Sequence, residues 1–256
     1  MKKIIFILLP IISIHTMAQY KLIPSGVYYW SEAPVKKSDD REGRRFLEGS
    51  SPQFEYFEVH ATVQQKGAVS KPPHAQKNIE ELIIVKDGTM KFTMDDKSQV
   101  LGKGSVVLIP PLVMQSIENV GDGPLSYYVF QFRSNKPMDM DRSTKAGGPL
   151  FINAASLAFT SSARGGTIKY FDRPTAMCEN FEMHITQLNS KGPSHAPHAH
   201  VDTEIILVIE RETEMSINNK IYKASAGDFY IMNSGEMHGV SSVSDGTCKY
   251  FAFKWR

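Results

Sequence analysis

Short apolar runs recur along the chain and are separated by turn-forming residues such as Asp87-Gly88, Asn218-Asn219 and Asp245-Gly246. From Phe181 to Thr186 apolar and polar side chains alternate, which is the two-residue period of a strand. Four further runs are rich in β-branched or aromatic residues: 81–85, 127–132, 204–209 and 250–255. No long segment has a helical period of about 3.6 residues. The pattern predicts an all-β chain of many short strands, folded as sandwiches or barrels.

The chain also resembles itself at an offset of about 124 residues, which becomes about 123 further on. One additional residue between Gln76 and Glu81 accounts for the change in offset. The matching segments are 45–48 with 169–172, 57–60 with 181–184, 74–76 with 198–200, 104–105 with 227–228, and 127–133 with 250–256. The sequence therefore predicts a tandem repeat of one β fold.

The repeat sets the expected domain organisation. We expect one barrel over residues 19–140 and a second over residues 141–256, with a linker near 134–156 where Asn, Lys, Pro, Asp and Gly cluster. The linker and the segment before Arg45 have room for a short helix or for an arm that packs on the other half. The sequence leaves these two possibilities open.

The first eighteen residues have a different character. Lys2 and Lys3 precede the apolar run 4–12, and small residues follow up to Ala18, which together predict a secretory signal peptide over 1–18. The apolar run is too short to span a bilayer, so we expect no membrane anchor. The predicted location is periplasmic or secreted.

Charge excludes some partners. The formal net charge of the whole chain is +2, and both excess lysines lie in the predicted signal peptide. A neutral chain without basic blocks lacks the electrostatic footprint of a nucleic-acid binder or of a polybasic membrane contact. Two cysteines, Cys178 and Cys248, are too few for a disulfide framework. One bond between them and two separate buried thiols both remain open.

Four residues of the second half have the spacing of a metal site: His198, His200, Glu204 and His238. On one strand, positions 198, 200 and 204 would share a face, and His238 would arrive from a later strand or turn. Three imidazoles and a carboxylate suit a divalent transition metal at about 2.0–2.2 Å. Such a set leaves a coordination position open for catalysis. We therefore predict one divalent ion per chain, with Mn, Fe, Zn, Ni and Co all open.

This pattern resembles the motifs of the cupin superfamily. Gly192 with His198-x-His200-x3-Glu204 is similar to the first cupin motif, and Gly227 with Gly235-x2-His238 is similar to the second. Where the family has Gly, Pro and Asn, this chain has Arg211, Asn233 and Ser242; these positions belong to turns and not to the ligand set. The resemblance covers roughly residues 45 to 256 and implies a bicupin, two tandem jelly-roll-type barrels.

The first half keeps the scaffold motifs, including Glu81…Gly88 and Gly104…Pro110, but its ligand positions differ. By the duplication they are His74, Gln76, Glu81 and Gln115. Glu80 has the better strand parity with Gln76, whereas the downstream offset favours Glu81. Two amides replace two imidazoles, so we expect this degenerate site to hold metal weakly or not at all.

Acid–base candidates lie near the predicted ligands. They are His184, Glu182, His195, Tyr230 and Glu236, none of which the sequence ranks well. Because the Glu-x-His pair occurs in both halves, the sequence favours a structural role for Glu182 and His184. Met215, Met232 and Met237 suit either a cavity lining or ordinary barrel core.

Three function classes compete. The first is a metal-dependent enzyme acting on a small polar metabolite, as a hydrolase, an isomerase or lyase, or a dioxygenase. Within it the architecture resembles the ureidoglycine aminohydrolases, although that family has Glu-x-His-x3-His with a Gln where this chain has its own ligand set. The second is a non-catalytic binder of a carbohydrate or organic acid, and the third is a storage-type bicupin. Homo-oligomerisation is open in each class.

Overall fold

The computed structural model describes residues 20–256, so the predicted signal peptide lies outside the described residues. The first repeat consists of strands β1 (Gly26–Tyr28), β2 (Val35–Lys37), β3 (Arg41–Gly49), β4 (Phe54–Gln64), β5 (Glu80–Asp87), β6 (Met90–Met94), β7 (Lys97–Leu101), β8 (Val106–Ile109), β9 (Gln115–Asn119) and β10 (Leu125–Ser134). The predicted strands at 81–85 and 127–132 are therefore confirmed within β5 and β10.

The second repeat follows a six-residue helix, α1 (Met140–Lys145). Its elements are β11 (Leu150–Ile152), a 3-10 helix (Ala154–Ser156), β12 (Phe159–Ser162), β13 (Gly165–Arg173), β14 (Phe181–Leu188), β15 (Gly192–Pro193), β16 (Thr203–Glu210), β17 (Thr213–Ile217), β18 (Lys220–Ala224), β19 (Phe229–Met232), β20 (His238–Ser242) and β21 (Cys248–Trp255). The remaining predicted strands are confirmed in β14, β16 and β21. Among residues 20–256, no helix is long and apolar enough to cross a membrane.

The strands form two large and two small antiparallel sheets. The large sheets run β11-β8-β5-β10-β4-β3-β2 and β1-β19-β16-β21-β14-β13-β12, so equivalent strands of the two repeats occupy equivalent places. The small sheets, β7-β6-β9 and β15-β20-β17-β18, correspond in the same way apart from the added β15. A large sheet and a small sheet close each barrel around its own apolar core. The all-β architecture of two tandem jelly-roll-type barrels is thus confirmed.

The two repeats exchange their first strands. β1 lies at the start of the first repeat but pairs with β19 of the second, with Val27 opposite Tyr230. β11 lies at the start of the second repeat but pairs with β8 of the first, with Phe151 opposite Val107. Each large sheet is therefore completed by a strand from the other repeat. The linker contains both features that the sequence allowed, a short helix and an arm on the other half.

The faces of the large sheets that point away from the barrel interiors pack against each other. Phe54 stacks on Trp255 with ring centroids 5.2 Å apart, and Phe130 meets Phe253 edge-on at 5.0 Å. The largest apolar cluster draws buried side chains from both repeats. Burial of aromatic surface on this scale stabilises the pair as one unit. Cys178 and Cys248 are separate buried free thiols, so no disulfide contributes.

A buried carboxyl group also joins the repeats. Glu80, at the start of β5, accepts hydrogen bonds from the Thr175 hydroxyl and the Met177 amide, both at 2.8 Å. The other carboxyl oxygen is buried without a hydrogen-bond partner. Burial raises the pKa of Glu80 to about 7, against the lowering effect of these hydrogen bonds and of nearby arginines. Glu80 therefore faces the junction between the barrels.

Two of the three departures from the family pattern have local explanations. The third, Ser242, is the buried last residue of β20, so the expectation that it lies in a turn is wrong. Arg211 adopts a left-handed backbone, with φ of 63°, at the turn where the first repeat has Gly88, with φ of 86°. Asn233 replaces the proline that the first repeat keeps as Pro110. Its backbone N–H donates to the Ser25 hydroxyl and its side-chain amide donates to the Ile23 carbonyl, both at 2.9 Å. Proline has neither donor, so Asn233 fastens the exchanged arm.

Candidate metal centre

Three segments of the second barrel bring the predicted ligands together. His238 is the first residue of β20, and its backbone exchanges two hydrogen bonds with His198, at 2.8 and 2.9 Å. Glu204 is the second residue of β16. His200 lies in the loop between His198 and the start of β16. The prediction that one strand carries positions 198, 200 and 204 is therefore wrong. A bridge, a loop and a strand end converge instead.

The four side chains lie close together in the barrel wall: the three imidazoles form one group, and Glu204 contacts two of them. One ring nitrogen from each of His198, His200 and His238 lies within 4.8 Å of the others. The Glu204 Oε2 atom lies 3.2 Å from Nε2 of His200 and 3.0 Å from Nε2 of His238. His238 is buried, whereas His198 and His200 are half-buried. The structure thus brings together all four residues that the spacing singled out.

Backbone carbonyls fix the tautomers of two of these rings. Nδ1 of His200 lies 3.0 Å from the Asp202 carbonyl, and Nδ1 of His238 lies 2.8 Å from the Glu236 carbonyl. A carbonyl oxygen only accepts, so each Nδ1 must carry the proton. In the neutral ring, Nε2 is then a bare lone pair facing the carboxylate. Such an arrangement requires a positive charge between the groups, either a proton or a metal ion.

The electrostatics of the cluster agree with that requirement. Although burial alone would raise it, the pKa of Glu204 falls to about 2 because the His200 and His238 side chains hydrogen-bond to the carboxylate. Burial and the neighbouring His195, His238 and His200 lower the pKa of His198. Nδ1 of His198 is buried without a hydrogen-bond partner. The hydrogen bond to Glu204 raises the pKa of His200, so a proton between the two groups is favoured in the metal-free site. A divalent transition metal would take the place of that proton, since a carboxylate and imidazole nitrogens are its ordinary ligands.

The cluster opens into a cavity of about 200 Å³ inside the second barrel. The Glu182 carboxylate joins two of its lining residues: Oε1 lies 3.3 Å from Nδ1 of His184, and Oε2 lies 3.3 Å from Nζ of Lys254. The other polar lining residues outside the ligand set are Thr186, Ser194, His195 and Tyr250. The wall therefore offers a cation, an imidazole and hydroxyl groups beside the predicted metal position.

The acid–base candidates occupy different places. His184 and His195 line the cavity, and the exposed His195 ring lies 4.5 Å from that of His198. Tyr230 is fully buried in the core, where its hydroxyl donates to the Thr213 carbonyl at 2.9 Å, and it is not among the lining residues. Glu236 accepts from the Asn233 backbone N–H at 3.2 Å and so supports the turn before His238. We therefore keep His184 and His195 as candidates that reach the cavity. Glu182 is not among the lining residues and acts on the cavity through its contacts with His184 and Lys254.

Sequence reasoning overlooked Lys254. It lines the cavity together with Tyr250 and Ala252, which share its parity on β21. The sequence did contain a signal for it, because a lysine at an inward-facing position of an aromatic strand is unusual and could have been predicted to line the cavity. Met215 is a cavity-lining residue, whereas Met232 is buried in the core and Met237 is exposed.

The first barrel arranges the equivalent positions differently. The Glu81 carboxylate accepts from the side-chain amide of Gln115, and from that of Gln131 at 2.6 Å. Both carboxylate oxygens are therefore engaged by amide donors. His74 is exposed at the cavity mouth, and Gln76 is not among the lining residues. Of the two candidate carboxylates, Glu81 lines the cavity and Glu80 does not.

Comparisons with known proteins agree with the fold. Residues 61–131 and 184–254 each match the cupin domain family. No curated protein matches the chain at a significant level. Three solved structures illustrate the likeness. The Lactobacillus farciminis oxalate decarboxylase formate complex has a TM-score of 0.71 at 10% identity, covering 91% of this chain and 87% of its own.

The other two cover even more of their own length. The YlbA protein of E. coli has a TM-score of 0.69 at 14% identity, covering 93% of each chain. AerE of Microcystis aeruginosa has a TM-score of 0.67 at 13% identity, covering 90% of this chain and 99% of its own. At such low identity these likenesses establish the shared two-barrel fold and carry nothing further.

Proposed function

The chain belongs to the cupin family, with one cupin domain in each repeat, and from that premise we propose that it is a metal-dependent enzyme acting on a small polar metabolite in the second barrel. One observation carries the proposal: the inward Nε2 atoms of His200 and His238 face the ionised Glu204 carboxylate, beside the third imidazole of His198. A bound divalent ion would supply a Lewis acid that polarises an oxygen of the metabolite.

The chain's own residues would bind and orient that metabolite. The Lys254 ammonium, which Glu182 holds at 3.3 Å, would attract a carboxylate or another anionic oxygen. Because Nδ1 of His184 faces Glu182, Nε2 is the nitrogen left to exchange a proton with a molecule in the cavity. The apolar Ile206, Met215 and Val240 line the same cavity and would limit access of water.

Export is part of the proposal. A cleaved signal peptide over residues 1–18 would place the protein in the periplasm or outside the cell. Metal would then be acquired, and substrate met, outside the cytoplasm. The pattern of Lys2, Lys3 and the apolar run that follows supports this location.

Metal analysis and turnover together test the proposal. We expect purified protein to hold close to one equivalent of a divalent transition metal per chain, and His198→Ala to lose it while remaining folded. The holoprotein is then assayed on uronates, ureido acids and dioxygenase substrates. Metal-dependent turnover that Lys254→Met weakens mainly through KM would support the assigned roles.

Two results would contradict the proposal in different ways. Absence of metal, or full retention of it in both His198→Ala and His238→Ala, would exclude the metal centre. Stoichiometric metal with stable substrate binding and no conversion would show a binding protein instead of an enzyme.

A further inference from the structure

The first barrel encloses a cavity of about 340 Å³ that the metal chemistry does not use. It lies at the place equivalent to the metal-site cavity, since His74, Glu81 and Gln115 line it at the repeat positions of His198, Glu204 and His238. A volume of this size is at the lower end of ligand pockets, which hold about 300–1,000 Å³. The cavity is thus large enough for a small metabolite.

The cavity has lost the features that hold a metal. The two amides of Gln115 and Gln131 donate to Glu81, so its oxygens already have partners. No cluster of three metal-ligating side chains other than His198, His200 and His238 occurs within residues 20–256. Any molecule bound here must therefore be held by hydrogen bonds and charge.

A buried amide in the cavity wall has an unused end. Gln64 is 3% exposed and lines the cavity, and its Nε2 donates to the Tyr127 hydroxyl at 3.0 Å. Its Oε1 is buried without a hydrogen-bond partner. Exchanging the two amide atoms would only move the unpartnered end to nitrogen. A buried polar atom of this kind is costly unless something bonds to it. The second repeat has the apolar Leu188 at the equivalent position.

The mouth of the cavity carries a lysine side chain. Lys71 is exposed at the lining and enters none of the ion pairs formed by residues 20–256. Of the two carboxylates in the lining, Glu58 lies 3.5 Å from Nε of Arg45 and 2.9 Å from Nδ1 of His60. Glu58 contacts Arg45, and the Glu81 oxygens accept hydrogen bonds from two amides. Lys71 is therefore the cation of the lining that has no carboxylate partner among the described residues, and the imidazoles of His60 and His74 line the same cavity.

The His60 ring is held in a fixed orientation. The Tyr56 hydroxyl donates to Glu58 Oε2 at 2.6 Å, and Glu58 Oε1 lies 2.9 Å from Nδ1 of His60. Although burial alone would raise it, the pKa of Glu58 is lowered by His60, Tyr56 and Arg45. The carboxylate thus anchors Nδ1, and Nε2 is left for a ligand in the cavity.

We propose that the first barrel is a metal-independent binding site for a small polyhydroxylated carboxylic acid, such as a sugar acid. The ligand carboxylate pairs with Lys71 at the mouth. Its hydroxyl groups reach the amides of Gln64 and Gln115 and the imidazole of His60 along the wall. This site is separate from the metal centre and does not depend on the function proposed for it.

Calorimetric titration in the presence of EDTA tests the proposal, using D-galacturonate as probe and D-galactose as the neutral match. The protein is the full mature chain, as wild type and as the His198→Ala/His238→Ala double variant. We expect one D-galacturonate per chain in both proteins, bound at least about fivefold more tightly than D-galactose. Loss of binding in the double variant would assign the ligand to the second barrel and overturn the proposal.

Two single variants locate the site. Gln64→Leu installs the residue that the second repeat uses, so the fold should tolerate it, and we expect binding to weaken by about tenfold. Lys71→Met should reduce D-galacturonate binding to the level of D-galactose. Unchanged far-ultraviolet circular dichroism spectra of both variants show that the chain is folded. Absence of binding in the wild type, or wild-type affinity in either variant, would overturn the proposal.

Discussion

Nε2 of His238 and Oε2 of Glu204 lie 3.0 Å apart, while Nδ1 of the same ring faces the Glu236 carbonyl at 2.8 Å. The ring is thus held from behind by the backbone and presents its second nitrogen to a carboxylate. The pair stays together only when positive charge lies between its members. The proposed metal centre rests on this arrangement, and so does the first prediction.

Glu204→Gln should abolish stoichiometric metal binding. The amide keeps the size of the side chain but removes the negative charge, so we expect metal affinity to fall by at least about 100-fold. Titration with a competing chelator measures the change. The matched control is Glu81→Gln in the first barrel, which should leave metal content unaltered. Equal loss in both variants would contradict the assignment.

Asn233→Ala should loosen the exchanged arm. It removes the amide that donates to the Ile23 carbonyl at 2.9 Å, and we expect unfolding free energy to fall by about 1–2 kcal/mol. Limited proteolysis should cut the arm sooner. Asn135→Ala loses a comparable bond to the Pro52 carbonyl in an exposed loop and should leave the arm protected. Identical cleavage patterns would count against the anchoring role.

Arg211→Gly should stabilise the second barrel. Arg211 has a φ of 63°, where a side chain is unfavourable, and we expect a gain of about 0.5–1 kcal/mol in urea unfolding. The reciprocal variant is Gly88→Ala. Its added Cβ would approach the Pro124 carbonyl oxygen to 2.5 Å, so it should destabilise the protein. A loss of stability in Arg211→Gly would mean that contacts of the arginine outweigh the backbone strain.

Glu80→Gln should flatten the pH dependence of stability. The pKa of Glu80 is raised from 4.5 to about 7 in the folded protein, so folding favours the protonated form. Its contribution is therefore fully present below about pH 4.5 and is lost as pH rises through 7. Relative to the wild type, the variant should gain on the order of 1–3 kcal/mol between pH 5 and pH 8, measured by urea unfolding. Parallel pH profiles would refute this.

The exported protein should begin at Gln19. Expression of the full chain in a bacterium with a general secretion system should give a periplasmic product whose intact mass lacks residues 1–18. Replacing Lys2 and Lys3 with glutamate should retain the precursor in the cytoplasm. A full-length cytoplasmic product from the unaltered chain would exclude the proposed location.

Much of the fold could be predicted because duplication is visible in the sequence. The matching aromatic strands at 127–132 and 250–255 revealed the offset between the repeats, and the two-residue alternation of apolar and polar side chains predicted β14. Exchange of β1 and β11 could not be predicted, because pairing partners of three-residue strands depend on tertiary packing. Asn233 stood out in the sequence because it departs from the family pattern. Its role became clear only from its hydrogen bonds to Ile23 and Ser25 in the segment that carries β1.

The site was predictable in its residues but not in its geometry. His198, His200, Glu204 and His238 converge as expected, although a bridge and a loop position them where one strand was expected. The sequence alone could not distinguish Tyr230 from a residue that lines the cavity, because the hydrogen bond that holds its hydroxyl group to Thr213 in the core is visible only in the structure. The choice of Glu81 over Glu80 depended on counting one inserted residue between the repeats.

The reciprocal pairing of β1 with β19 and of β11 with β8 has a consequence for how the polypeptide can be divided. Cleavage between Ser134 and Met140 would produce two fragments, each holding a strand that the other needs and sharing a large aromatic interface. We expect such fragments to complement each other: neither would be complete when synthesised alone, and together they would reassemble without a peptide bond. The fold would therefore not require the covalent connection between the repeats, and the two fragments could be expressed from separate genes.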